Sequence, residues 1–338
     1  MKFFAFVFAA VFAVFSMAAP QRVIFDTDMG NDVDDALALA MLYDYQKSGQ
    51  ADLAAVLLNK DNPCAPVFVS VMNCYYGFDS VPIGMVRNGK TKEEGRYIGA
   101  VSKAANADGS YKYPRKIDSD SKLVEAHKLA RKVLAESADG SVVYISVGFS
   151  TNVSRLLDSQ PDEISPLSGR ELVAKKVKYF SVMAGQFGLN ARAKRYNPEY
   201  NVKTDLEAAR NFMENSPVPI VFSGFEVGEI LNYPKEAVEE KLSNDNPLAV
   251  SYKLYARSRN GNLFNACTFD LTSVLYVFSP ELFDLSGNGT VSIAKSTLTD
   301  FKPSPDGKHR YLKIPQGGGQ KIVAEMVRRS TTIKPKAE

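Results

Sequence analysis

The chain has 338 residues, of which 45% are hydrophobic and 23% are charged, and 41 lysines and arginines against 38 aspartates and glutamates give a formal net charge of +3. This composition is typical of a globular protein and excludes disorder, collagen-like repeats and disulfide-dense miniproteins. The basic residues are scattered along the chain, so nothing in the charge pattern favours a nucleic-acid partner.

The first nineteen residues differ from the rest of the chain. Lys2 precedes an unbroken apolar run from Phe3 to Phe15, and small residues follow before Pro20. This order is typical of a cleaved secretory signal peptide, and a run of about 13 residues is too short to span a bilayer. We predict a signal peptide over residues 1–19, with cleavage favoured after Ala18. The mature protein is then secreted or periplasmic and free of the membrane.

Short apolar runs alternate with helix-like segments along most of the remaining chain. The runs are predicted to be strands, at residues 22–25, 53–58, 81–86, 142–147, 177–183 and 218–222. The helical segments lie at residues 34–45, 63–76, 123–136, 152–158 and 204–214. This alternation indicates βαβ units. We therefore expect an α/β fold with an open, mainly parallel, Rossmann-like sheet flanked by helices, and a site at the carboxyl ends of its strands.

Two segments interrupt the alternation. Residues 87–120 are rich in Gly, Lys, Ser and Tyr, and the region from 286 to 319 is rich in turn-forming residues. We expect a single domain over residues 20–338, with an insertion near 87–120 and a C-terminal extension near 285–338.

Five aspartates follow the first predicted strand within ten residues, at positions 26, 28, 32, 34 and 35. Like charges this close repel one another unless something positive offsets them. The N-terminus of the predicted helix contributes only about half a charge, so a bound cation explains the loop better than a solvated capping loop does. Oxygen ligands favour Ca²⁺ or Mg²⁺. The spacing does not fit an EF-hand, and the two histidines of the chain leave little for a zinc site.

The same loop resembles the signature of a known family. Asp26-Thr-Asp28-Met-Gly30, followed by Asp34-Asp35-Ala-Leu-Ala-Leu, is similar to the motif of the inosine-uridine preferring nucleoside hydrolases, with two residues added after the glycine. Further matches follow in the family's order along roughly residues 22 to 283. They are Asn62, Gly148-Phe-Ser-Thr151-Asn152, Glu199-Tyr-Asn201 with the following Asp205, and Asp270 in a segment that ends in Pro-Glu-Leu-Phe283.

The resemblance implies the nucleoside hydrolase fold and a Ca²⁺-dependent reaction on a small-molecule nucleoside or another ribosyl substrate. The implied reaction is hydrolysis of the N-glycosidic bond by a metal-bound water, with Asp28 as general base, and it releases free base and ribose. The implied calcium ligands are Asp28, Asp35, the backbone carbonyl of Thr151, and Asp270. The implied sugar-binding residues are Asp34 for the 2′-hydroxyl, Asn201 for the 3′-hydroxyl, Glu199 for the 5′-hydroxyl, Asn62, and one of Asn190 or Asn197. A homodimer or homotetramer is implied as well.

One position departs from the family pattern. Phe269 stands where the best-known members have a histidine immediately before the late aspartate, and we expect structural roles for His127 and His309. The group that protonates the leaving base therefore stays open, as does the base preference. Phe187, Tyr196 and Phe269 are candidates for stacking against the base. The added residues also leave the role of Asp32 open.

Two other functions fit parts of the sequence. The first is an exported protein that binds a ribosyl ligand without turnover, because the family's histidine is missing. The second is a Mg²⁺-dependent phosphohydrolase resembling the haloacid dehalogenase group, with Asp26 as nucleophile. That group expects Thr or Val where this chain has Gly30.

Several candidate residues also have ordinary structural explanations. Asn62 precedes Pro63 and is suited to capping the following helix, and Thr151 is suited to an ordinary helix start. Cys64 and Cys74 are separated by about 15 Å if the residues between them are helical, which exceeds the reach of a disulfide. We expect these two cysteines and Cys267 to be small buried residues.

Overall fold

The structure is a computed structural model that describes residues 19–189, 194–257 and 259–336. Residues 1–18, which hold nearly all of the predicted signal peptide, and Asn190 lie outside the described residues. Within the described ranges, no helix is both long enough and apolar enough to cross a membrane.

The described strands form one open, mixed and mostly parallel sheet, which confirms the predicted fold class. In chain order they are β1 (Gln21–Thr27), β2 (Ala51–Leu58), β3 (Ile83–Met85), β4 (Val142–Ser146), β5 (Val177–Met183), β6 (Ile220–Ser223), β7 (Asp284–Leu285), β8 (Gly289–Ile293), β9 (Thr299–Pro303) and β10 (His309–Lys313). The sheet order is β3-β2-β1-β4-β5-β6-β10-β8-β9, and β7 pairs with β10. Neighbours from β3 to β10 are parallel, whereas β7, β8 and β9 pair in the antiparallel sense.

Helices cover both faces of the sheet. In chain order the α-helices of the described residues are α1 (Asp34–Lys47), α2 (Cys64–Tyr76), α3 (Ile98–Ser102), α4 (Ala126–Ala135), α5 (Thr151–Asp158), α6 (Gly169–Lys176), α7 (Tyr200–Thr204), α8 (Leu206–Asn215), α9 (Phe225–Ile230), α10 (Lys235–Lys241), α11 (Pro247–Tyr255), α12 (Phe269–Phe278) and α13 (Gly319–Thr332). A short 3₁₀ helix, Pro280–Leu282, follows α12.

The side chains of the central strands alternate between two buried clusters, one on each face. In β1, Val23 and Phe25 belong to one cluster and Ile24 to the other. Because both faces are covered, these strands read as unbroken apolar runs in the sequence. Helix α1 is itself buried from Asp34 to Tyr45, so its polar N-terminal residues are held inside the protein.

The region from 286 to 319 differs from the expectation of turns, because it carries β8, β9 and β10. Strand β8 alternates buried and exposed residues, as an antiparallel strand with one solvated face does. Such strands lack the long apolar runs that identify the central ones. The segment 87–120 is mostly irregular, and it contributes α3 together with the buried side chains of Tyr97 and Ile98. No disulfide joins the described cysteines.

Candidate active site

A cavity of about 500 Å³ opens at the carboxyl ends of β1, β4 and β5. Asp28 follows β1, Val147 follows β4 and Met183 ends β5, and all three residues line the cavity. The chain continues from β1 to β2 on one side and later returns to β4 on the other. The cavity therefore lies where the strand order switches, which is the usual place for a ligand in an open α/β sheet.

Three buried aspartates meet in this cavity and are called the acidic trio below. Asp34 and Asp35 lie in the first turn of α1, and Asp270 lies in the first turn of α12. One carboxylate oxygen from each lies within 4.8 Å of the others. The backbone N–H of Asp270 donates to Asp34 Oδ2 at 3.1 Å, and the Thr27 hydroxyl donates to Asp35 Oδ1. Two helix N-termini therefore bring the three carboxylates together.

The acidic trio fits a divalent cation. Burial raises the pKa of all three carboxyl groups well above the usual range, and repulsion from neighbouring aspartates raises it further. Ionised carboxylates in such surroundings are unfavourable unless a positive charge neutralises them. A donor set made of carboxylate oxygens alone matches Ca²⁺ or Mg²⁺ and not zinc. The donor set does not distinguish between the two hard cations.

Asp28 lies beside the acidic trio and not within it. The resemblance implies that Asp28 is a ligand and that Asp34 binds the sugar; in the structure Asp28 lines the same cavity as Asp34, Asp35 and Asp270, and its charge acts on all three. Asn31 Nδ2 donates to Asp28 Oδ2 at 2.5 Å. Burial is the main cause that raises the pKa of Asp28 to about 7, and Asp32 and Glu199 raise it while the Lys60 ammonium lowers it. A carboxylate with this pKa is suited to accepting a proton near neutral pH.

Glu199 and Asn201 line the same cavity, as the sequence predicts. Glu199 caps the N-terminus of α7, where its carboxylate accepts hydrogen bonds from the backbone N–H groups of Asn201 at 2.8 Å and Val202 at 3.1 Å. Asn201 Nδ2 donates to the Val147 carbonyl at 3.2 Å. The Glu-Tyr-Asn spacing therefore puts a helix cap and the first turn of that helix at the rim of the sheet.

Three other predicted site residues lie elsewhere or have local roles. Asn62 Oδ1 accepts from Cys64 N at 2.8 Å, and its Nδ2 donates to the Lys92 carbonyl at 2.7 Å. The side chain of Asn62 thus caps α2, which is the role that its position before Pro63 suggests. Asn62 does not line the cavity. The backbone N–H of Asn197 donates to Gln186 Oε1 at 3.0 Å, and Asn197 does not line the cavity either.

The third is Thr151, which is the first residue of α5. Its carbonyl therefore points along the helix axis, and its hydroxyl donates to Asp205 Oδ2 at 2.6 Å. Thr151 lines a separate cavity of about 610 Å³. In the active-site cavity, the residue of this segment that lines the wall is Val147, one position beyond β4. Val147 is a lining residue that the side-chain pattern did not reveal.

Aromatic side chains form another part of the wall. The rings of Phe225 and Phe269 stack with centroids 5.1 Å apart, and both residues line the cavity. Tyr255 donates from its hydroxyl to Asp32 Oδ1 at 2.8 Å, which gives Asp32 a partner outside the acidic trio. Phe187 and Tyr196, the other stacking candidates, line a different cavity of about 780 Å³.

One further candidate, Asp26, has a structural role. Asp26 is fully buried and accepts hydrogen bonds from Asn59, Tyr144 and Asn152 at 2.8 to 3.0 Å. It does not line the cavity, so it cannot act as the nucleophile of a phosphohydrolase.

Both histidines lie outside the cavity lining. His309 Nδ1 accepts from the Val291 backbone N–H at 2.8 Å, and burial lowers its pKa to about 4. His127 lies in α4, where burial is the main cause that lowers its pKa. Both positions agree with the structural roles expected from the sequence.

Comparison with known proteins identifies related structures. A family model described as inosine-uridine preferring nucleoside hydrolase matches residues 23–326. A plant nucleoside hydrolase superimposes with a TM-score of 0.68 at 18% identity, over 92% of this chain and 99% of the other. A purine-preferring ribonucleoside hydrolase from Gardnerella vaginalis superimposes with a TM-score of 0.68 at 14% identity, over 92% of this chain and 98% of the other. The type III effector protein XopQ complexed with adenosine diphosphate ribose superimposes with a TM-score of 0.64 at 13% identity, over 92% of this chain and 94% of the other. No curated protein sequence matches.

Proposed function

The chain belongs to the inosine-uridine preferring nucleoside hydrolase family and is a ribosyl hydrolase, and from this premise we propose that it hydrolyses the N-glycosidic bond of ribonucleosides with calcium as cofactor. The observation that carries the proposal is the position of the acidic trio in one cavity with Asp28, Glu199 and Asn201. This arrangement supplies a cation site, a carboxylate suited to act as base, and hydrogen-bonding groups for a sugar.

The polar wall is suited to an unphosphorylated ribose. Glu199 has acceptor capacity beyond its backbone hydrogen bonds, and the Asn201 amide oxygen is available while Nδ2 donates to the main chain. We assign Glu199 to the 5′-hydroxyl and Asn201 to the 3′-hydroxyl. The described residues that line the cavity include one cationic side chain, Arg96, and seven carboxylates. This excess of negative charge disfavours a bound phosphate group. These carboxylates are Asp28, Asp32, Asp34, Asp35, Glu93, Glu199 and Asp270.

The residues of the cavity account for activation of the water and for stabilisation of the transition state. Asp28 accepts a proton from the attacking water as the water oxygen bonds to the anomeric carbon. The C1′–N bond breaks, and its electron pair leaves with the base. The sugar gains oxocarbenium character in the transition state, which the surrounding carboxylates stabilise. The leaving base stacks against Phe225 and Phe269 and takes up one proton from solvent, and Asp28 returns the proton that it accepted to solvent.

Calcium is proposed as the ion of the acidic trio. When bound, it would supply positive charge that orients a water molecule and the ribose hydroxyls. Asp34, Asp35 and Asp270 provide its carboxylate ligands, and the Val147 carbonyl replaces that of Thr151 in the proposed set. Calcium accepts a larger and less regular ligand set than magnesium does, which suits ligands drawn from two helices and a strand end.

Binding without turnover is the second candidate function. Phe269 occupies the position of the histidine found in the best-known family members, and one protein with a similar fold is described in complex with adenosine diphosphate ribose. Tight binding of a ribosyl ligand without release of a base would favour this function.

The test is release of free base and ribose from a panel of purine and pyrimidine ribonucleosides. Protein starting at Ala19 is assayed with calcium and after removal of metal by EDTA. Asp270→Asn should lose activity, whereas Asp300→Asn, a change at an exposed aspartate, should keep it. Absence of turnover on every nucleoside, with calcium bound and the protein folded, would refute the hydrolase proposal. Calorimetry with adenosine diphosphate ribose then tests the binding function.

We further propose that the protein is exported, that residues 20–338 form one domain, and that the mature chain assembles as a homodimer or homotetramer. N-terminal sequencing of protein recovered from the periplasm or the medium should give Ala19 as the first residue. Size-exclusion chromatography with light scattering measures the oligomeric state.

A further inference from the structure

A buried lysine stands behind the wall of the active-site cavity. Lys60 follows β2 by two residues and is 0% exposed. Its Nζ donates to Asn31 Oδ1, and Asn31 Nδ2 donates to Asp28 Oδ2 at 2.5 Å. Asn31 and Asp28 line the cavity, whereas Lys60 does not. The three side chains therefore form a chain of hydrogen bonds that ends on the proposed base.

The chemistry of these groups fixes which of them donates in each hydrogen bond. A lysine ammonium only donates hydrogen bonds and an ionised carboxylate only accepts them. The amide oxygen of Asn31 accepts from the Lys60 ammonium, and the amide nitrogen donates to the Asp28 carboxylate. Only one orientation of the Asn31 amide satisfies both neighbours. An anchored amide of this kind limits rotation of the Asp28 carboxylate.

The charge of Lys60 also acts on the acidic loop. Burial lowers the pKa of Lys60, and the carboxylates of Asp28 and Asp35 are the main groups that oppose this change. Lys60 therefore has an attractive interaction with Asp35 of the acidic trio and with Asp28 beside it. A fixed positive charge on Lys60 repels a divalent cation that Asp35 would bind.

We propose that Lys60 and Asn31 position the Asp28 carboxylate for proton acceptance, and that the charge of Lys60 weakens the binding of a divalent cation at the acidic trio. The first part rests on the proposed hydrolysis, and the second part does not. Lys60 and Asn31 touch no reacting atom and act through Asp28. The Lys60–Asn31–Asp28 relay therefore raises turnover, whereas the charge of Lys60 lowers cation affinity.

Three substitutions separate these effects. Lys60→Met removes both the anchor and the charge. Asn31→Asp keeps a side chain of the same shape that still pairs with Lys60, but it removes the donor to Asp28. Lys60→Arg retains the charge and a donor. The matched control is Lys176→Met, because Lys176 is a partly buried lysine of α6 whose Nζ donates to the Ser137 carbonyl at 2.7 Å, away from the cavity.

The measurements are kcat and KM on the best nucleoside, calcium affinity by calorimetry, and the melting temperature. Lys60→Met and Asn31→Asp should lower kcat about 10- to 100-fold, as expected for a misplaced base, while KM changes by less than about twofold. Lys60→Met should bind calcium about tenfold more tightly. Lys60→Arg should regain most of the lost kcat, and Lys176→Met should match the wild type in kcat, KM and calcium affinity.

The outcomes distinguish this inference from the proposed function. If the wild type releases no base from any nucleoside, the hydrolysis is refuted, and the calcium affinity of Lys60→Met alone decides the charge effect. Unchanged or weaker calcium binding in that variant overturns it. Given an active wild type, a normal kcat in both Lys60→Met and Asn31→Asp refutes the relay. A parallel loss of kcat, calcium affinity and melting temperature without rescue by Lys60→Arg shows a purely structural role.

Discussion

Replacing Asp28 by asparagine should inactivate the protein and at the same time stabilise its metal-free form. Asp28 is 5% exposed, and Asn31 Nδ2 donates to its Oδ2 at 2.5 Å. The amide oxygen introduced by Asp28→Asn can accept this same hydrogen bond. An amide cannot take the proton of the attacking water, so the loss of general-base catalysis should lower kcat about 100- to 10,000-fold.

The stability change follows from the pKa of Asp28, which burial raises from 3.8 to about 7. A difference of that size corresponds to about 4 kcal/mol between the two protonation states. Because the folded-state pKa lies above that of the unfolded chain, the wild type loses stability as the pH rises from about 4 to about 7. Asp28→Asn has no such loss, so its advantage in free energy of unfolding should grow with pH towards an upper limit of about 4 kcal/mol.

The assay is urea unfolding in EDTA at pH 5 and pH 8, with Asp300→Asn as an exposed control. The free energy of unfolding of Asp28→Asn should exceed that of the wild type at pH 8, and the difference should shrink at pH 5. Equal differences at the two pH values would contradict the raised pKa of Asp28. Full activity of the variant at any pH would remove Asp28 from the mechanism.

Three further outcomes test other parts of the site. Saturating calcium at about 100 times its dissociation constant should stabilise the protein by about 2.7 kcal/mol, and thermal melts should show that Asp270→Asn loses most of this gain. Phe225→Ala should raise KM for nucleosides about tenfold or more, because stacking on an aromatic ring contributes about 1–3 kcal/mol per base; an unchanged KM would place the base elsewhere. Asn62→Ala should cost about 1 kcal/mol of stability as a lost helix cap with kcat/KM unchanged, and a selective loss of kcat/KM would return Asn62 to the site.

The sequence predicts the central sheet well because of how that sheet is buried. Strands β1, β2, β4 and β5 are covered on both faces, so their burial appears directly as apolar runs. The strands β8, β9 and β10 were not predicted, because their alternating or polar residues resemble turns when read alone. They join the sheet by pairing with elements far away in sequence, such as β10 with β6, and local patterns carry no information on such pairings.

The acidic loop was recognised from the sequence because five carboxylates so close together need a positive partner. Their division into roles was harder to predict. Asp34 and Asp35 are consecutive, and which of them faces Asp270 depends on where helix α1 begins. In the structure, carboxylate oxygens of Asp34, Asp35 and Asp270 lie within 4.8 Å of one another, and the Asn31 amide donates to Asp28. Residue types therefore predict the kind of site, while the path of the loop decides which side chains lie together.

The same reasoning explains Asn62 and Lys60. Both follow β2 within four residues, and an asparagine is the more obvious candidate for a sugar contact. Asn62, however, satisfies its side chain with nearby backbone groups, Cys64 N and the Lys92 carbonyl. Lys60 has its one described hydrogen bond to Asn31, from a different strand end. A buried lysine needs such a partner, so a lysine directly after a central strand is itself a signal of carboxylates across the sheet edge.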